Sequence, residues 1–341
     1  MKKHQVTIKD LAKILNVSPS TVSRALKDHP DISAETRKKV KALAQEMKYR
    51  PNTLARSLRE SKSHVIGVVI PQIVHHFFSS VISGIESYAS ELGYSIIFSQ
   101  SGESEKREKN NVDTLLAGRV DGIIISLTKE TQDLKHIEKI TELGIPLVFF
   151  DRAAEGMAAD KVIIDDFAAA KIATEHLIEN GGTNFLHFSG PESLDISIRR
   201  RDGFLHVLKK HKINSSEINV IKADNFEEGK QRMYELIQSG NIPDAIFTVN
   251  DHTAVGVLNA LRNSNFRVPE DVLLVGFTNG FISTITSPQI SSIEQNGFKI
   301  GSKAAELLVN RMEQEIDSGY ITEVISSDLI IRGSSQKLKK S

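Results

Sequence analysis

The sequence predicts a small all-α domain followed by α/β structure, arranged as two lobes that are each a doubly wound parallel sheet. Two short amphipathic helices stand in helix-turn-helix spacing before residue 27, and β-branched runs alternate with helical patterns from Val65 to Ile331. Charge is also segregated. Residues 1–63 hold 15 Lys and Arg against 6 Asp and Glu, whereas the remaining 278 residues hold 28 against 37. Because a basic segment neutralises phosphates, the first domain is predicted to bind nucleic acid.

The first helix is predicted to begin after Thr7. Thr7 and Asp10 have the spacing of a capping box, in which the hydroxyl accepts from a backbone amide and the carboxylate reaches back to the cap. Apolar residues then recur at helical spacing along one face, at Ile8, Leu11, Ala12 and Leu15. Thr7 is also a candidate contact to DNA, since it opens the helix-turn-helix segment.

A second short helix is predicted after Ser18 as N-cap, with Pro19 at the first helical position, where a missing amide costs nothing. Its apolar side is formed by Val22, Ala25 and Leu26. Two short helices joined by a tight turn form a helix-turn-helix, whose second helix lies in a DNA major groove, although pairs of amphipathic helices are common. The charge of the segment favours the DNA-binding interpretation. The candidate contacts are Ser18, Pro19, Ser20, Thr21, Ser23 and Arg24.

A third helix is predicted after Ser33, and the segment Tyr49–Leu58 follows it. The runs TIKDLAKILNVSPSTVSRAL, ISAETRKKV and YRPNTLARSL together resemble the LacI/GalR family of bacterial transcription repressors. The resemblance covers about sixty consecutive residues, with three motifs in order. It implies that residues 51–63 form a hinge that folds on the operator, where Leu58 wedges into the minor groove and kinks the DNA. The alternative for Leu58 is packing within an ordinary linker helix. Asn52 and Ala55 are the further hinge contacts that the resemblance implies.

Composition limits the other classes of function. The chain has no cysteine, so a disulfide framework and a thiolate metal site are excluded. The sequence has no apolar run long enough for a membrane span and no export signal, which predicts a cytoplasmic protein without membrane partners. We find no nucleophile elbow, phosphate loop or zinc-protease motif, so the sequence predicts neither an enzyme nor a cofactor.

The α/β part begins with the continuous β-branched run Val65–Ile70, which is typical of a parallel strand buried on both faces. The predicted strands are 65–70, 94–99, 122–126, 146–150, 161–165, 184–188, 218–223, 244–249, 272–277, 289–293 and 321–331. The predicted helices between them are 78–92, 105–117, 130–143, 167–179, 198–211, 227–238, 252–263 and 297–313. Two α/β lobes in one chain usually enclose a ligand where their strand carboxyl ends converge.

This part is similar to the periplasmic-binding-protein type of domain that the same repressor family shares. The resemblance implies that the chain crosses between lobes near residues 163, 290 and 318, with the last helix on the first lobe. The expected domains are a headpiece at 1–50, a hinge at 51–63, an effector-binding domain at 64–335 and a tail at 336–341. Its first lobe is expected at 64–163 and 291–318, and its second at 164–290 and 319–335.

The candidate effector-binding residues follow strands. Phe77 and Phe78 follow the first strand and are equally consistent with ligand stacking and core packing. The neighbouring His75 and His76 point in different directions and have no spaced partner, so no metal site is predicted. Asp151 and Arg152 follow the fourth strand and could instead satisfy each other.

Four further candidates rest on the resemblance. It carries the ligand-gripping arginine to Arg200, and Asn250 and Asp251 match the family's ligand-contacting pair, with helix capping as the alternative. At Thr278 the family usually has an aspartate. Because this cleft loses an anion but keeps Arg152 and Arg200, the sequence favours a sugar acid over a neutral sugar as effector.

The functional prediction is a repressor of carbohydrate genes that acts as a homodimer on palindromic operator DNA and is controlled by a sugar or sugar acid. No heptad pattern follows Arg332, so a tetramerising coiled coil is not expected. Two alternatives remain open, a solute-binding receptor for sugar uptake and a sugar-acting α/β enzyme such as a kinase. The basic headpiece speaks against the first and the missing phosphate loop against the second.

Overall fold

The computed structural model divides the chain between His64 and Val65 into two units. The structure describes residues 6–49, 62–214, 216, 218–313 and 319–336.

The N-terminal unit contains three helices, α1 (Ile8–Leu15), α2 (Pro19–Leu26) and α3 (Ala34–Glu46). Their apolar faces meet in a small core of Leu11, Ala12, Val22, Ala25, Val40 and Ala44. Since every helix contributes two residues to this core, the three helices stabilise one another.

The ends of these helices follow the predicted capping chemistry. Asp10 Oδ2 accepts from the Thr7 amide at 2.8 Å, and Thr7 Oγ1 accepts from the Asp10 amide at 3.4 Å, which completes the capping box. Ser18 Oγ accepts from the Thr21 amide at 3.0 Å. Between α1 and α2 the chain turns at Asn16, whose φ of 50° lies in the left-handed region that asparagine tolerates.

The second unit contains two six-stranded sheets, one in each lobe. The first has the order β11-β5-β4-β3-β1-β2 with all pairs parallel. Its strands are β1 (Val65–Ile70), β2 (Ser95–Gln100), β3 (Gly122–Ile125), β4 (Leu147–Phe150), β5 (Asp160–Ile164) and β11 (Thr322–Ile325). The central strands β1, β3 and β4 are buried along nearly their whole length, as their continuous apolar sequence predicts.

The second sheet has the order β12-β10-β9-β8-β6-β7, and only β12 runs antiparallel to its neighbour among the described strands. Its strands are β6 (Phe185–Ser189), β7 (Ile218–Lys222), β8 (Ala245–Thr248), β9 (Leu273–Thr278), β10 (Ser291–Glu294) and β12 (Asp328–Ile330). The helices of this unit are α4 (His76–Glu91), α5 (Glu105–Ala117), α6 (Lys135–Glu142), α7 (Asp166–Glu179), α8 (Asp195–Lys210), α9 (Phe226–Gln238), α10 (Asp251–Asn263), α11 (Phe281–Thr284) and α12 (Gly297–Glu313).

Two expected lobe boundaries need correction. The first crossing follows Ile164, close to the expected residue 163, because β5 lies in the first sheet, where Asp160–Val162 pair with β4 and Lys161–Ile164 pair with β11. β10 pairs with β9 in the second sheet, although residues 291–294 were expected in the first lobe. The expected single strand at 321–331 is two strands in different sheets, because β11 pairs with β5 and β12 with β10.

Helix packing accounts for this connectivity. α12 lies on the first lobe against α4, as predicted, and their backbones approach at Gly84 and Gly301, where a methyl group would meet backbone atoms of the opposite helix. The chain must therefore return to the first lobe between β10 and α12. The alternation of apolar and polar residues predicts a strand but not the sheet that the strand joins. The sequence pattern therefore could not assign β10, β11 and β12 to one lobe or the other.

One predicted helix is shorter than expected. The helix predicted from residue 130 begins at Lys135, because residues 128–132 form a loop held by the buried carboxylate of Glu108. Glu108 Oε2 accepts from the Thr128 amide at 2.8 Å and Glu108 Oε1 from Thr131 Oγ1 at 2.8 Å. This loop contributes Lys129 to the cleft between the lobes.

Candidate nucleic-acid interface and ligand cleft

The outer side of α2 carries the predicted hydroxyl groups. Ser20 is exposed and Thr21 is half-buried. Ser18 Oγ lies 2.6 Å from Ser20 Oγ and 2.8 Å from Thr21 Oγ1, so the three hydroxyls form one hydrogen-bonded cluster. Pro19 is exposed at the first helical position and Ser23 is half-buried. The exposed members of this set present small polar groups at the N-terminal half of a helix, which suits contact with base edges.

Arg24 is the exposed cation of the same helix. Its side chain is 58% exposed, and its Nη1 lies 3.8 Å from Asp31 Oδ2, which is at the limit of a weak surface ion pair. Such a contact leaves the guanidinium able to reorient toward a guanine edge. The remaining predicted DNA contacts, Asn52, Ala55 and Leu58, lie outside the described residues.

A cleft of about 390 Å³ lies between the two lobes of the second unit. Its walls are the segments at the carboxyl ends of β1, β2, β3 and β4 in the first lobe and of β6, β7, β8, β9 and β10 in the second. All eight residues predicted from sequence to bind effector lie in this lining, namely Phe77, Phe78, Asp151, Arg152, Arg200, Asn250, Asp251 and Thr278.

The two phenylalanines are mostly core residues that present an edge to the cleft. Phe77 is 6% exposed and Phe78 4% exposed, and the Phe78 ring packs edge-on against Phe150 at 6.2 Å. The guanidinium of Arg152 lies 5.8 Å from the centre of the Phe78 ring. Core packing therefore applies to both side chains, and their position in the cleft lining leaves ligand stacking as a prediction.

Arg152 has a closer partner than its neighbour Asp151. Its Nη1 contacts both carboxylate oxygens of Glu103, at 3.0 and 2.9 Å, whereas its Nε lies 3.8 Å from Asp151 Oδ2. Asp151 and Arg152 therefore form only a long ion pair, and Glu103 is the main partner of the arginine. Glu103 lies 49 residues away in the loop after β2, which no local pattern could reveal.

Arg200 is buried and makes three contacts within the second lobe. Its Nε donates to Asp166 Oδ1 at 2.7 Å, its Nη1 donates to the Val249 carbonyl at 2.8 Å, and its guanidinium stacks 3.6 Å from the centre of the Phe277 ring. Burial raises the pKa of Asp166 to about 6, against the opposing attraction of Arg200. This arginine is held rigidly at the floor of the cleft, with a carboxylate that already offsets its charge.

Asp151 retains unused acceptor capacity. It adopts a left-handed φ of 58° at the end of β4, and its Oδ1 accepts a long hydrogen bond of 3.3 Å from Gln295 Nε2. Burial raises the pKa of Asp151, and Arg152 and Arg200 oppose this shift. A carboxylate has about four lone-pair sites, so Asp151 can accept further hydrogen bonds from a ligand.

The side chains of Asn250 and Asp251 form hydrogen bonds within the protein. Asn250 caps α10, with Oδ1 accepting from the Thr253 amide at 2.9 Å, and its Nδ2 donates to the Asp224 carbonyl at 2.7 Å. Asp251 accepts from Ser292 Oγ at 2.6 Å and from the Gly280 amide at 2.7 Å. Their primary role in this conformation is to shape the cleft wall.

Thr278 occupies a strained position at the end of β9. Its φ is 111°, which is a genuine outlier for a β-branched residue. The next residue, Asn279, is fixed by Arg332 Nη2 at 2.6 Å from its Oδ1 and by its own Nδ2 at 2.6 Å from Glu294 Oε2. These anchors hold the strained turn against the cleft.

Sequence reasoning missed His252, Lys129 and Asp224 and gave His75 no partner, because these residues meet across the cleft from opposite lobes. The rings of His75 and His252 meet edge to face at 4.7 Å across the cleft. Burial and the neighbouring His252 lower the pKa of His75 to about 4. Lys129 Nζ and Asp224 Oδ2 form an ion pair of 2.7 Å across the same cleft. The described part of the chain contains no cluster of three or more metal-ligating side chains.

The charge balance of the cleft also differs from the sequence expectation. Arg152 is paired with Glu103, Arg200 with Asp166, and Lys129 with Asp224. Each of these three cleft cations therefore has its own carboxylate, and Asp151 and Asp251 add further acidic groups. The excess of positive charge that favoured an acidic ligand does not exist in this arrangement.

Comparison with known proteins agrees with both units. Residues 7–52 match the family of bacterial regulatory proteins of lacI type, and residues 66–316 match the periplasmic binding protein domain. Catabolite control protein A of Priestia megaterium is 31% identical over 319 residues, which cover 93% of this chain and 96% of that protein. The chain belongs to the LacI family of bacterial regulatory proteins. Its members are DNA-binding transcriptional regulators, and the resemblance found in the sequence is confirmed.

Further relatives agree with this assignment to the LacI family. The transcriptional repressor CytR of Escherichia coli is 31% identical over 334 residues, covering 97% of each chain. The structure of the lac repressor dimer bound to operator and the anti-inducer ONPF has a TM-score of 0.87 and 26% identity, covering 98% of this chain and all of that one. A LacI-family regulator from Enterococcus faecium with bound ribose has a TM-score of 0.72 and 25% identity, covering 81% of this chain and all of that one. Within the described residues, no helix is long and apolar enough to cross a membrane.

Proposed function

We propose that this LacI-family regulator represses transcription as a homodimer on a palindromic operator and responds to a neutral sugar in its cleft. The observation that carries the proposal is the presence, in one chain, of a basic helix-turn-helix with an exposed Arg24 and a two-lobed cleft of about 390 Å³. In the cell such a protein works in the cytoplasm, where its operator is. Carbohydrate genes are the targets that this effector class implies.

Exposed apolar side chains support the homodimer. The edge strand β2 exposes Ile97 and Phe98 by 52% and 47%, and the edge strand β7 of the other lobe exposes Val220 by 40%. Phe281 at the start of α11 and Ile285 directly after its end are 64% and 63% exposed. Apolar groups on sheet edges of both lobes are expected to be covered in a stable protein. Two-fold symmetry then matches the symmetry of a palindromic operator.

The pairing of the cleft cations supports a neutral ligand rather than a sugar acid. A buried ligand carboxylate needs a charged partner that is free to bind it. Arg152 and Arg200 would have to abandon Glu103 and Asp166, whereas sugar hydroxyls can donate to Asp151 at no such cost. The ribose-bound relative is consistent with this class of ligand.

Binding-site selection from random duplexes tests the first half of the proposal. The full-length protein is expected to enrich a two-fold symmetric sequence, and recovery of unrelated sequences would contradict it. A thermal-shift screen of paired neutral sugars and sugar acids tests the second half. A ligand at 100 times its Kd is expected to add about 2.7 kcal/mol to stability. Stabilisation by the acids alone would reject the neutral-ligand assignment and leave the DNA-binding function standing.

A further inference from the structure

The ion pair between Lys129 and Asp224 joins the two lobes across the ligand cleft. Lys129 belongs to the loop after β3 in the first lobe, and Asp224 to the loop after β7 in the second. The distance from Nζ to Oδ2 is 2.7 Å, and the two side chains are 33% and 12% exposed. The pair is therefore partly withdrawn from water, and its attraction is less screened than that of a fully exposed pair.

A second hydrogen bond crosses the cleft at the same place. Ser193 Oγ in the loop after β6 donates to the Lys129 carbonyl at 2.9 Å. The same lysine is thus contacted by the second lobe at both its side chain and its backbone. A displacement of the lobes that separates one contact would separate the other, so the two act together.

Both sides of this contact are fixed from within their own lobes. In the first lobe the Lys129 amide donates to Glu103 Oε2 at 2.9 Å. In the second lobe Asn250 Nδ2 donates to the Asp224 carbonyl at 2.7 Å. Because the backbones on both sides are anchored, closing the pair costs less conformational entropy than pairing two mobile surface side chains.

We propose that Lys129, Ser193 and Asp224 form a latch that holds the lobes of this regulator closed and must open for a ligand to enter or leave. Lys129 and Asp224 themselves line the cleft, so the latch lies on its boundary. The strength of the latch falls with ionic strength, which makes the population of the closed form dependent on salt. The latch residues position the lobes. They are distinct from Asp151 and Arg200, which line the cleft and are predicted to contact the ligand.

The chain has no cysteine, so distances between the lobes can be measured with two introduced spin labels. Asn110→Cys on α5 and Gln231→Cys on α9 place one label on an exposed position of each lobe. Labelled protein is diluted into an excess of unlabelled chain, so that distances within one chain dominate. Pulsed electron resonance then gives the distribution of lobe separations without any need for a known effector.

The latch predicts one narrow, short distance for the otherwise wild-type protein. Lys129→Met and Asp224→Asn are each expected to increase the open population about two- to fivefold, which corresponds to a partly exposed ion pair. Salt at 1 M is expected to shift the wild-type distribution in the same direction. The charge-swapped Lys129→Asp and Asp224→Lys double variant is expected to recover the short distance.

Lys135→Met provides a matched control, because it removes a nearby lysine whose partner Asp133 lies in the same lobe. Its distance distribution is expected to equal that of the wild type. Identical distributions for wild type, Lys129→Met and Asp224→Asn would overturn the latch. So would a charge-swapped protein that stays as open as the single variants, since mutual attraction would then not be the cause. Neither result would bear on operator binding or on the class of ligand.

Discussion

Asp251 accepts a hydrogen bond from the backbone amide of Gly280, with 2.7 Å between Oδ2 and the nitrogen. Its other oxygen accepts from Ser292 Oγ at 2.6 Å. One carboxyl group at the start of α10 therefore ties down the turn after β9 and the strand β10. Burial raises the pKa of Asp251 to about 7, and the hydrogen bonds from Ser292 and Gly280 limit the shift. The anchor of the cleft wall is thus a group that titrates near neutral pH.

Asp251→Asn is expected to flatten the pH dependence of stability. Below pH 4 the carboxyl is protonated in both the folded and the unfolded chain. Between pH 4 and 7 only the folded chain keeps the proton, so stability falls as pH rises and the loss is complete above pH 7. The free energy of unfolding of the wild type relative to the variant should fall by on the order of 4 kcal/mol across this window. Urea denaturation of the wild type and of Asp251→Asn at several pH values measures this difference in free energy of unfolding. A difference that stays constant with pH would contradict the raised pKa of Asp251.

Arg24→Ala is expected to weaken operator binding by about 1–3 kcal/mol and to relax preference at one base pair in each half-site. The reason is that a guanidinium donates two hydrogen bonds to a guanine edge. Binding-site selection followed by titration checks both effects. Lys9→Ala serves as the control, because it removes an exposed charge of the same unit and is expected to weaken all sequences alike. A uniform loss for Arg24→Ala as well would mean that Arg24 contacts only phosphate.

Thr278→Gly is expected to raise the free energy of unfolding by about 1 kcal/mol. A non-glycine residue in a sparsely populated backbone region costs about 1–3 kcal/mol, which exceeds the entropic cost of glycine of roughly 0.5–1 kcal/mol. The φ of 111° at Thr278 is such a position. Thermal and urea unfolding measure the change. Thr322, an exposed strand residue, provides the control, and Thr322→Gly is expected to destabilise the protein. If both changes destabilise the protein equally, Thr278 is not strained.

Gly301→Ala is expected to destabilise the second unit by about 1–3 kcal/mol or more through overpacking. A methyl group there would collide with the backbone carbonyl of Val81, which cannot rotate away as a side chain can. Chemical denaturation gives the magnitude. At Gly319 a methyl group would meet nothing within 4 Å, so Gly319→Ala should leave stability nearly unchanged. A Gly301→Ala protein as stable as wild type would show that α4 and α12 can separate without cost.

The local features of this protein were determined by its sequence. Caps at Thr7 and Ser18 act over three residues, and a buried strand such as Val65–Ile70 is apolar along its whole length. Because these interactions involve residues that are close together in the sequence, the headpiece helices and the alternation of strands and helices could be predicted. The position of the cleft at strand carboxyl ends followed from the same alternation, since parallel strands share that edge.

Only the tertiary structure decided which groups meet inside the cleft. Arg152 forms an ion pair with Glu103 of another loop, and Lys129 forms one with Asp224 of the other lobe. It also decided that β11 and β12 join different sheets. Electrostatic pairing depends on distance in space and on burial, neither of which is encoded in spacing along the chain. The charge that a ligand meets is therefore a property of the folded lobes rather than of the residues counted in the sequence.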